Sequence, residues 1–213
     1  MDVDNLQSCG THRELEVGPL LDRLSLFFST RPPARIELGS LKPAAVALPL
    51  TIAEGKLCIL FTVRTDTVEH HKNEISFPGG RVDEEDVDEL AAALRETWEE
   101  IGIPSTELGV VGEMDDFVSI SGYRVRPFVV FIRETRPAFD PYPGEVSEIL
   151  EVPVGHLLDP SNHHVEATPL SQGKPIHFFN WRDRVIWGLT GAILRQFLDL
   201  AFDLGGDGND GGC

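Results

Sequence analysis

Glu96, Glu99 and Glu100 lie close together near the end of the segment Val87 to Gly102. Wound as a helix at roughly 100° per residue, the segment brings the three carboxylates within about 100° of one another. Val87, Leu90, Ala91, Leu94, Trp98 and Ile101 gather on the opposite side as the expected core stripe. An acidic outer face is ordinary on a surface helix. These acids, however, occupy the last turns, where the helix dipole disfavours a carboxylate by roughly a few tenths of a kcal/mol. Glu96 and Glu100 are also a like-charged i, i+4 pair, which adds a similar penalty. A bound divalent cation would remove both, and oxygen ligands suit Mg²⁺ or Mn²⁺. Ahead of the helix stands Phe77-Pro78-Gly79-Gly80. Adjacent glycines let bare backbone N–H groups approach a phosphate or a water. Carboxylates, a divalent metal and an exposed glycine loop together are equipment for phosphoryl transfer. Arg95, beside Glu96, reads as an ion-pair anchor for the carboxylates more than as a substrate contact.

The elements that must position these residues follow from periodicity. The helix is expected from about Asp88 to Ile101, closed by Gly102. Two strands, Ala45 to Leu50 and Leu57 to Val63, flank a turn at Glu54-Gly55. Ile75-Ser76-Phe77 is a short strand broken by Pro78-Gly79-Gly80. Leu108 to Met114, Val125 to Ile132 and Ile176 to Phe179 are further strand candidates. Pro137 to Pro143 is a proline-rich loop, and a short amphipathic segment runs from Glu145 to Leu158. Pro19 opens a first helix that Arg31-Pro32-Pro33 stops. Val185, Ile186, Leu189, Ile193, Phe197 and Leu200 predict a final helix. The irregular mixture implies an α+β fold, not a regular βαβ winding. The organisation expected is a leader over 1–18, one domain over 19–203 and a flexible Gly-rich tail over 204–213.

Composition narrows the partners. The chain has 213 residues and a formal net charge of -17. Such a surface should repel nucleic acid and anionic membrane, so a phosphate-bearing substrate would need a cation between it and the protein. No apolar run is long enough for a membrane span, and the start lacks the pattern of a signal peptide. The cysteines, Cys9, Cys58 and Cys213, are few and far apart, which argues against disulfides or a zinc knuckle and for a reducing, cytoplasmic setting. Cys58 reads as a small core residue. His163-His164 is a poor metal pair, because neighbours on a strand point to opposite faces. Oligomeric state is not legible, and a homodimer is open.

The motifs resemble the Nudix family. Its box reads G-x5-E-x7-R-E-U-x-E-E-x-G-U, with U aliphatic, and this chain carries Arg95-Glu96-Thr97-Trp98-Glu99-Glu100-Ile101-Gly102-Ile103. Thr97 departs at an aliphatic position. Counted back from Arg95, the box glycine falls on Arg81 and its glutamate on Val87, so Gly80 stands one residue early. That extra residue is similar to the coenzyme A diphosphatase branch, where Phe-Pro-Gly-Gly precedes a D-x-x-D-x-D stretch. Asp83, Asp86 and Asp88 match it, followed by Ala93-Leu94-Arg95-Glu96. An upstream signature of the branch matches at Leu60, Thr62, Arg64 and Phe77 to Gly80, and departs at Phe61, Thr65, Glu69 and Asn73. His70, His71 and Lys72 neighbour the lost basic position and read as solvated loop residues. The stretches Ser121 to Phe128, Glu145 to Glu148 and Ile186 to Thr190 look like later parts of the same branch.

The resemblance implies an α/β/α sandwich around a central mixed sheet. It implies Glu96, Glu99 and Glu100 as ligands of Mg²⁺ or Mn²⁺, and Glu99 or Glu145 as general base, with Arg95 in the catalytic set. Glu145 as a solvated loop acid is the alternative. Arg64, Gly79 and Gly80 are the implied substrate contacts, whereas Arg124 and Arg126 read as exposed strand charges. The implied reaction is hydrolysis of coenzyme A to 3′,5′-ADP and 4′-phosphopantetheine. The alternatives are another nucleoside diphosphate derivative as substrate, namely ADP-ribose, a dinucleotide or a nucleoside triphosphate, and a catalytically inactive nucleotide-binding module.

Overall fold

The two longest apolar runs become the two strands at the middle of the sheet. In the computed structural model, which describes residues 17–65, 74–134, 137–167 and 175–202, β1 (Lys42–Ala53) and β2 (Lys56–Arg64) form an antiparallel hairpin. Its turn, Glu54-Gly55, has φ of 50° and 74°, the doubly positive geometry that matches strand twist in a two-residue loop. β3 (Ile75–Ser76) pairs with β2, and β4 (Gly79–Arg81) pairs with the first half of β1. β5 (Leu108–Glu113) and β6 (Phe117–Val118) both pair with β7 (Tyr123–Ile132), and β8 (Val146–Pro153) pairs with β2. β7 runs parallel to β1 while the other pairings are antiparallel, so the sheet is mixed. A separate antiparallel sheet joins β9 (His163–Ala167), β10 (Pro175–Trp181) and β11 (Arg184–Ile186).

Helices cover both faces of the large sheet, as the expected sandwich requires. Leu20, Leu24 and Phe28 of α1 (Val17–Thr30) and Leu194, Phe197 and Leu198 of α4 (Gly188–Phe202) share one apolar cluster with Leu48, Leu50, Ile59 and Phe61. On the other face, Ala92, Ala93 and Ile101 of α2 (Glu89–Ile101) pack with Ala45, Ala47, Leu60, Phe128 and Val130. Strand side chains alternate between faces, which is why β1 and β7 read as nearly unbroken apolar runs. A further short helix, α3 (Val154–Leu157), follows β8.

Several sequence expectations are corrected. α2 is rotated by roughly 100° from its predicted orientation. Val87 is 90% exposed and Trp98 59%, whereas Ala92, Ala93, Thr97, Glu100 and Ile101 are buried. A helix lying close on a sheet needs small residues at the contact, and Ala92 and Ala93 supply it where a tryptophan would hold the layers apart. Gly79-Gly80, read as a breaker, forms β4. The segment after Glu145 is a strand before it is a helix. Val185 and Ile186 belong to β11, and the final helix starts only at Gly188, whose φ is 65°. The first helix starts at Val17, not at Pro19. Residues 1–16 and 203–213, with Cys9 and Cys213, lie outside the described residues, as do Glu69, His70, His71, Lys72 and Asn73. Cys58 is buried as expected, and burial pushes its thiol up to about 11. Among the described residues no helix is long and apolar enough to cross a membrane.

Candidate active site

Both ends of α2 are closed by the residues the sequence offers for it. Asp88 caps the start, its carboxylate accepting the Ala91 N–H at 2.8 Å. Gly102 closes the end in the left-handed conformation, φ 77°, and donates to the Trp98 carbonyl at 2.9 Å. The carbonyls of the two residues before it are taken by the proline-rich loop: Asp140 N–H donates to Ile101 O at 3.0 Å and Tyr142 N–H to Glu100 O at 3.1 Å. The same loop is tied to the end of β2, where Thr65 N–H donates to Glu145 O and Thr65 Oγ1 to Gly144 O. Helix, loop and strand therefore bring Glu96, Glu145 and Arg64 within electrostatic reach of Glu100, and Glu99 within reach of Glu96.

The carboxylates differ in environment. Glu100 is 4% exposed, and its Oε2 has no hydrogen-bond partner. Burial, with Glu96 and Glu145 nearby, pushes its carboxyl up to about 8, against the pull of Arg64 and of the Gly79 N–H that bonds it. Burial also raises Glu96, against the pull of Arg95. Glu99 stands half exposed. Arg64 is partly buried, and its Nε too lacks a hydrogen-bond partner.

Gly79 and Gly80 both stand where a side chain would collide, and of the two only Gly80 would place it against a carboxylate. A Cβ on Gly80 would stand 2.4 Å from Glu96 Oε1, so only glycine leaves room for that carboxylate. Gly79 has φ 151°, and a Cβ there would lie 2.4 Å from the Ala45 carbonyl of β1. Thr97 fills the aliphatic box position inside the core, its hydroxyl satisfied by the Ala93 carbonyl at 2.7 Å.

Arg95 is the organiser, as its ion-pair reading anticipated. It donates Nε to Asp86 Oδ1 at 3.0 Å and Nη2 to Asp86 Oδ2 at 2.9 Å, a fork-to-fork contact. Its Nη1 bridges Glu96 Oε1 and Glu99 Oε2, each at 3.0 Å. The Arg95 guanidinium holds the shielded Asp86 carboxyl below its usual range. Asp86 thus meets Arg95 one residue before the box glutamate position at Val87. The aspartate spacing carried that signal, but sequence reasoning did not assign it. The proline-rich loop and Glu145 after it were read from the sequence, but not the capping of α2 by that loop.

Arg124 and Arg126 are corrected: they are partly buried, not exposed. Both pair with Glu89 and Asp116, and Arg35 joins them on Asp116. This network braces the start of α2 against β7. His163 and His164 do face apart, His163 hydrogen-bonding His177 and stacking on Phe179 while His164 stacks on Phe178.

Among the described residues no three acidic, His or Cys side chains converge as a ready metal cage. The donor set nonetheless suits a hard divalent cation. Glu96, Glu99 and Glu100 lie on neighbouring turns, and a buried carboxylate oxygen without a donor is the kind of atom a cation satisfies.

Residues 41–172 match the family model described as the NUDIX domain. A protein from Photorhabdus laumondii named as an uncharacterized Nudix hydrolase NudL is 34% identical over 166 residues, covering 78% of this chain and 87% of that protein. Its namesake from Escherichia coli strain K12 is 31% identical over 185 residues, covering 86% of this chain and 94% of that protein. Among solved structures, a MutT/nudix family protein from Enterococcus faecalis aligns with a TM-score of 0.47 at 15% identity, over 83% of this chain and 67% of that one.

Proposed function

Since the chain belongs to the Nudix family, whose hydrolases cleave diphosphate linkages, we propose that it hydrolyses coenzyme A to 3′,5′-ADP and 4′-phosphopantetheine. The observation that carries the diphosphatase chemistry is Glu100, a buried carboxylate with an unpartnered oxygen among other carboxylates and facing Arg64. The choice of coenzyme A is supported by the signature residues Leu60, Thr62, Arg64 and Phe77 to Gly80, and by the aspartates that follow.

Glu96, Glu99 and Glu100 would hold Mg²⁺ or Mn²⁺. When bound, such an ion neutralises diphosphate charge and eases deprotonation of water. Glu99 or Glu145 would accept a proton from water as the water attacks one phosphorus; the bond from that phosphorus to the bridging oxygen breaks, and the other phosphate leaves with that oxygen. Arg64, on β2 beside Glu100, offers a guanidinium to phosphate oxygens. Arg95 orients Glu96 and Glu99. Gly80 leaves room for the Glu96 carboxylate, and Gly79 donates its N–H to Glu100.

The test is a substrate panel scored by kcat/KM with Mg²⁺ or Mn²⁺, with products identified. Coenzyme A should lead, yielding 3′,5′-ADP and 4′-phosphopantetheine. Faster cleavage of ADP-ribose, a dinucleotide or a nucleoside triphosphate would replace coenzyme A with another nucleoside diphosphate derivative, a reading that the departures at Glu69 and Asn73 favour. Binding heat without product would point to an inactive nucleotide-binding module.

A further inference from the structure

An exposed aromatic ring is ordinary when it stands alone on a surface. Tyr142 is exposed, at 57%, but its surroundings are built. It lies on the loop that ends at Glu145, between Pro141 and Pro143, whose rings fix the backbone. Its N–H is bonded to the Glu100 carbonyl at 3.1 Å, and its carbonyl accepts the N–H groups of Glu145 at 3.0 Å and Val146 at 2.9 Å. Its ring rests against Gly144: a Cβ there would come within 2.7 Å of Cε1, 3.1 Å of Cζ and 3.2 Å of Oη. Any residue but glycine would lift the ring. The ring is therefore seated on backbone while the residue as a whole stays exposed.

We propose that Tyr142 is a specificity-determining platform on which the base of the substrate stacks while its diphosphate meets the carboxylates; the inference rests on the diphosphatase reading above. A neutral planar base suits this place. The net charge of -17 repels the phosphate end of a nucleotide but not its base. Stacking on an aromatic face needs no particular hydrogen-bond pattern. A ring held in advance loses little freedom when the base arrives.

The test uses the full chain in Mg²⁺ and two probes, adenosine diphosphate and inorganic pyrophosphate, measured by calorimetry. Tyr142→Leu should weaken adenosine diphosphate about tenfold, equivalent to ~1.4 kcal/mol, and change pyrophosphate less than about twofold. Tyr142→Phe should restore wild-type affinity, since the hydroxyl is not needed for stacking. On the best substrate of the panel, Tyr142→Leu should raise KM about tenfold with kcat nearly unchanged. Trp98→Ala is the control: Trp98 is equally exposed but projects from the side of α2 away from Glu100, and its loss should leave both probes alone. Equal weakening of both probes, no weakening of either, or a larger effect from Trp98→Ala overturns the proposal while leaving a turning-over enzyme and its diphosphatase reading intact. A wild-type chain that cleaves no diphosphate and binds neither probe overturns both.

Discussion

Replacing Glu100 by glutamine should stabilise the metal-free protein and abolish its hydrolysis, two effects of opposite sign from one atom change. In the unfolded chain Glu100 ionises near its ordinary value of 4.5, whereas in the folded chain burial holds it protonated up to about 8. A carboxyl raised by folding contributes full stability below pH 4.5 and loses it as pH rises through 8. At ~1.4 kcal/mol per pH unit, the loss is at most about 5 kcal/mol. Glutamine carries no charge to bury and keeps an oxygen for the Gly79 N–H. With allowance for relaxation, a gain of about 3 kcal/mol is expected at pH 8, or roughly 6 to 12 °C in Tm for a chain of this size. The assay is thermal unfolding of both proteins in a chelator from pH 4 to pH 8.5. The gap should be near zero at pH 4 and open steadily towards pH 8. Adding Mg²⁺ should raise the Tm of the wild type more than that of the variant and narrow the gap. A gap that does not change with pH, or a variant less stable than wild type at pH 8, would refute the account of Glu100 as a buried, unsatisfied charge.

The remaining tests separate positioning from folding. Glu99→Gln, at a half-exposed site, should lower kcat by about 10²- to 10³-fold with Tm unchanged within about 1 °C; near wild-type turnover in both Glu99→Gln and Glu100→Gln would remove the metal-site reading. Gly80→Ala should cut activity while sparing stability, because its Cβ meets only the end of the Glu96 side chain. Gly79→Ala should instead cost about 2 kcal/mol or more, visible as a lower Tm, because its Cβ meets the Ala45 backbone at a φ that L residues avoid. Asp86→Ala frees the Arg95 guanidinium and should lower kcat by roughly 10- to 100-fold, the range for outer partners of a metal site, with Asp86→Glu recovering part of it.

Much of this site was legible along one dimension. The two central strands, the start and stop of α2, and the clustering of Glu96, Glu99 and Glu100 depend on local periodicity and capping. The ion-pair role of Arg95 followed from its place beside Glu96. What local pattern could not supply was the rotation of α2. A helical wheel ranks positions by hydrophobicity, so it turned Trp98 inward and Glu100 outward, whereas the sheet admits only a narrow ridge of alanines. Arg124 and Arg126 were misread for a related reason. Their partners Glu89 and Asp116 come from other segments of the chain, and no spacing rule connects them.

The sequence by itself determined the kind of chemistry proposed: carboxylates on successive helical turns, a glycine pair before them and an acidic surface follow from residue types and short spacings. Only the tertiary structure decided which carboxylate is buried, that Gly79 and Gly80 serve Glu100 and Glu96, and that a distant proline-rich loop returns to seal α2 and bring up Glu145. These depend on contacts between residues far apart in the chain, where close packing and desolvation, not local periodicity, set the energy.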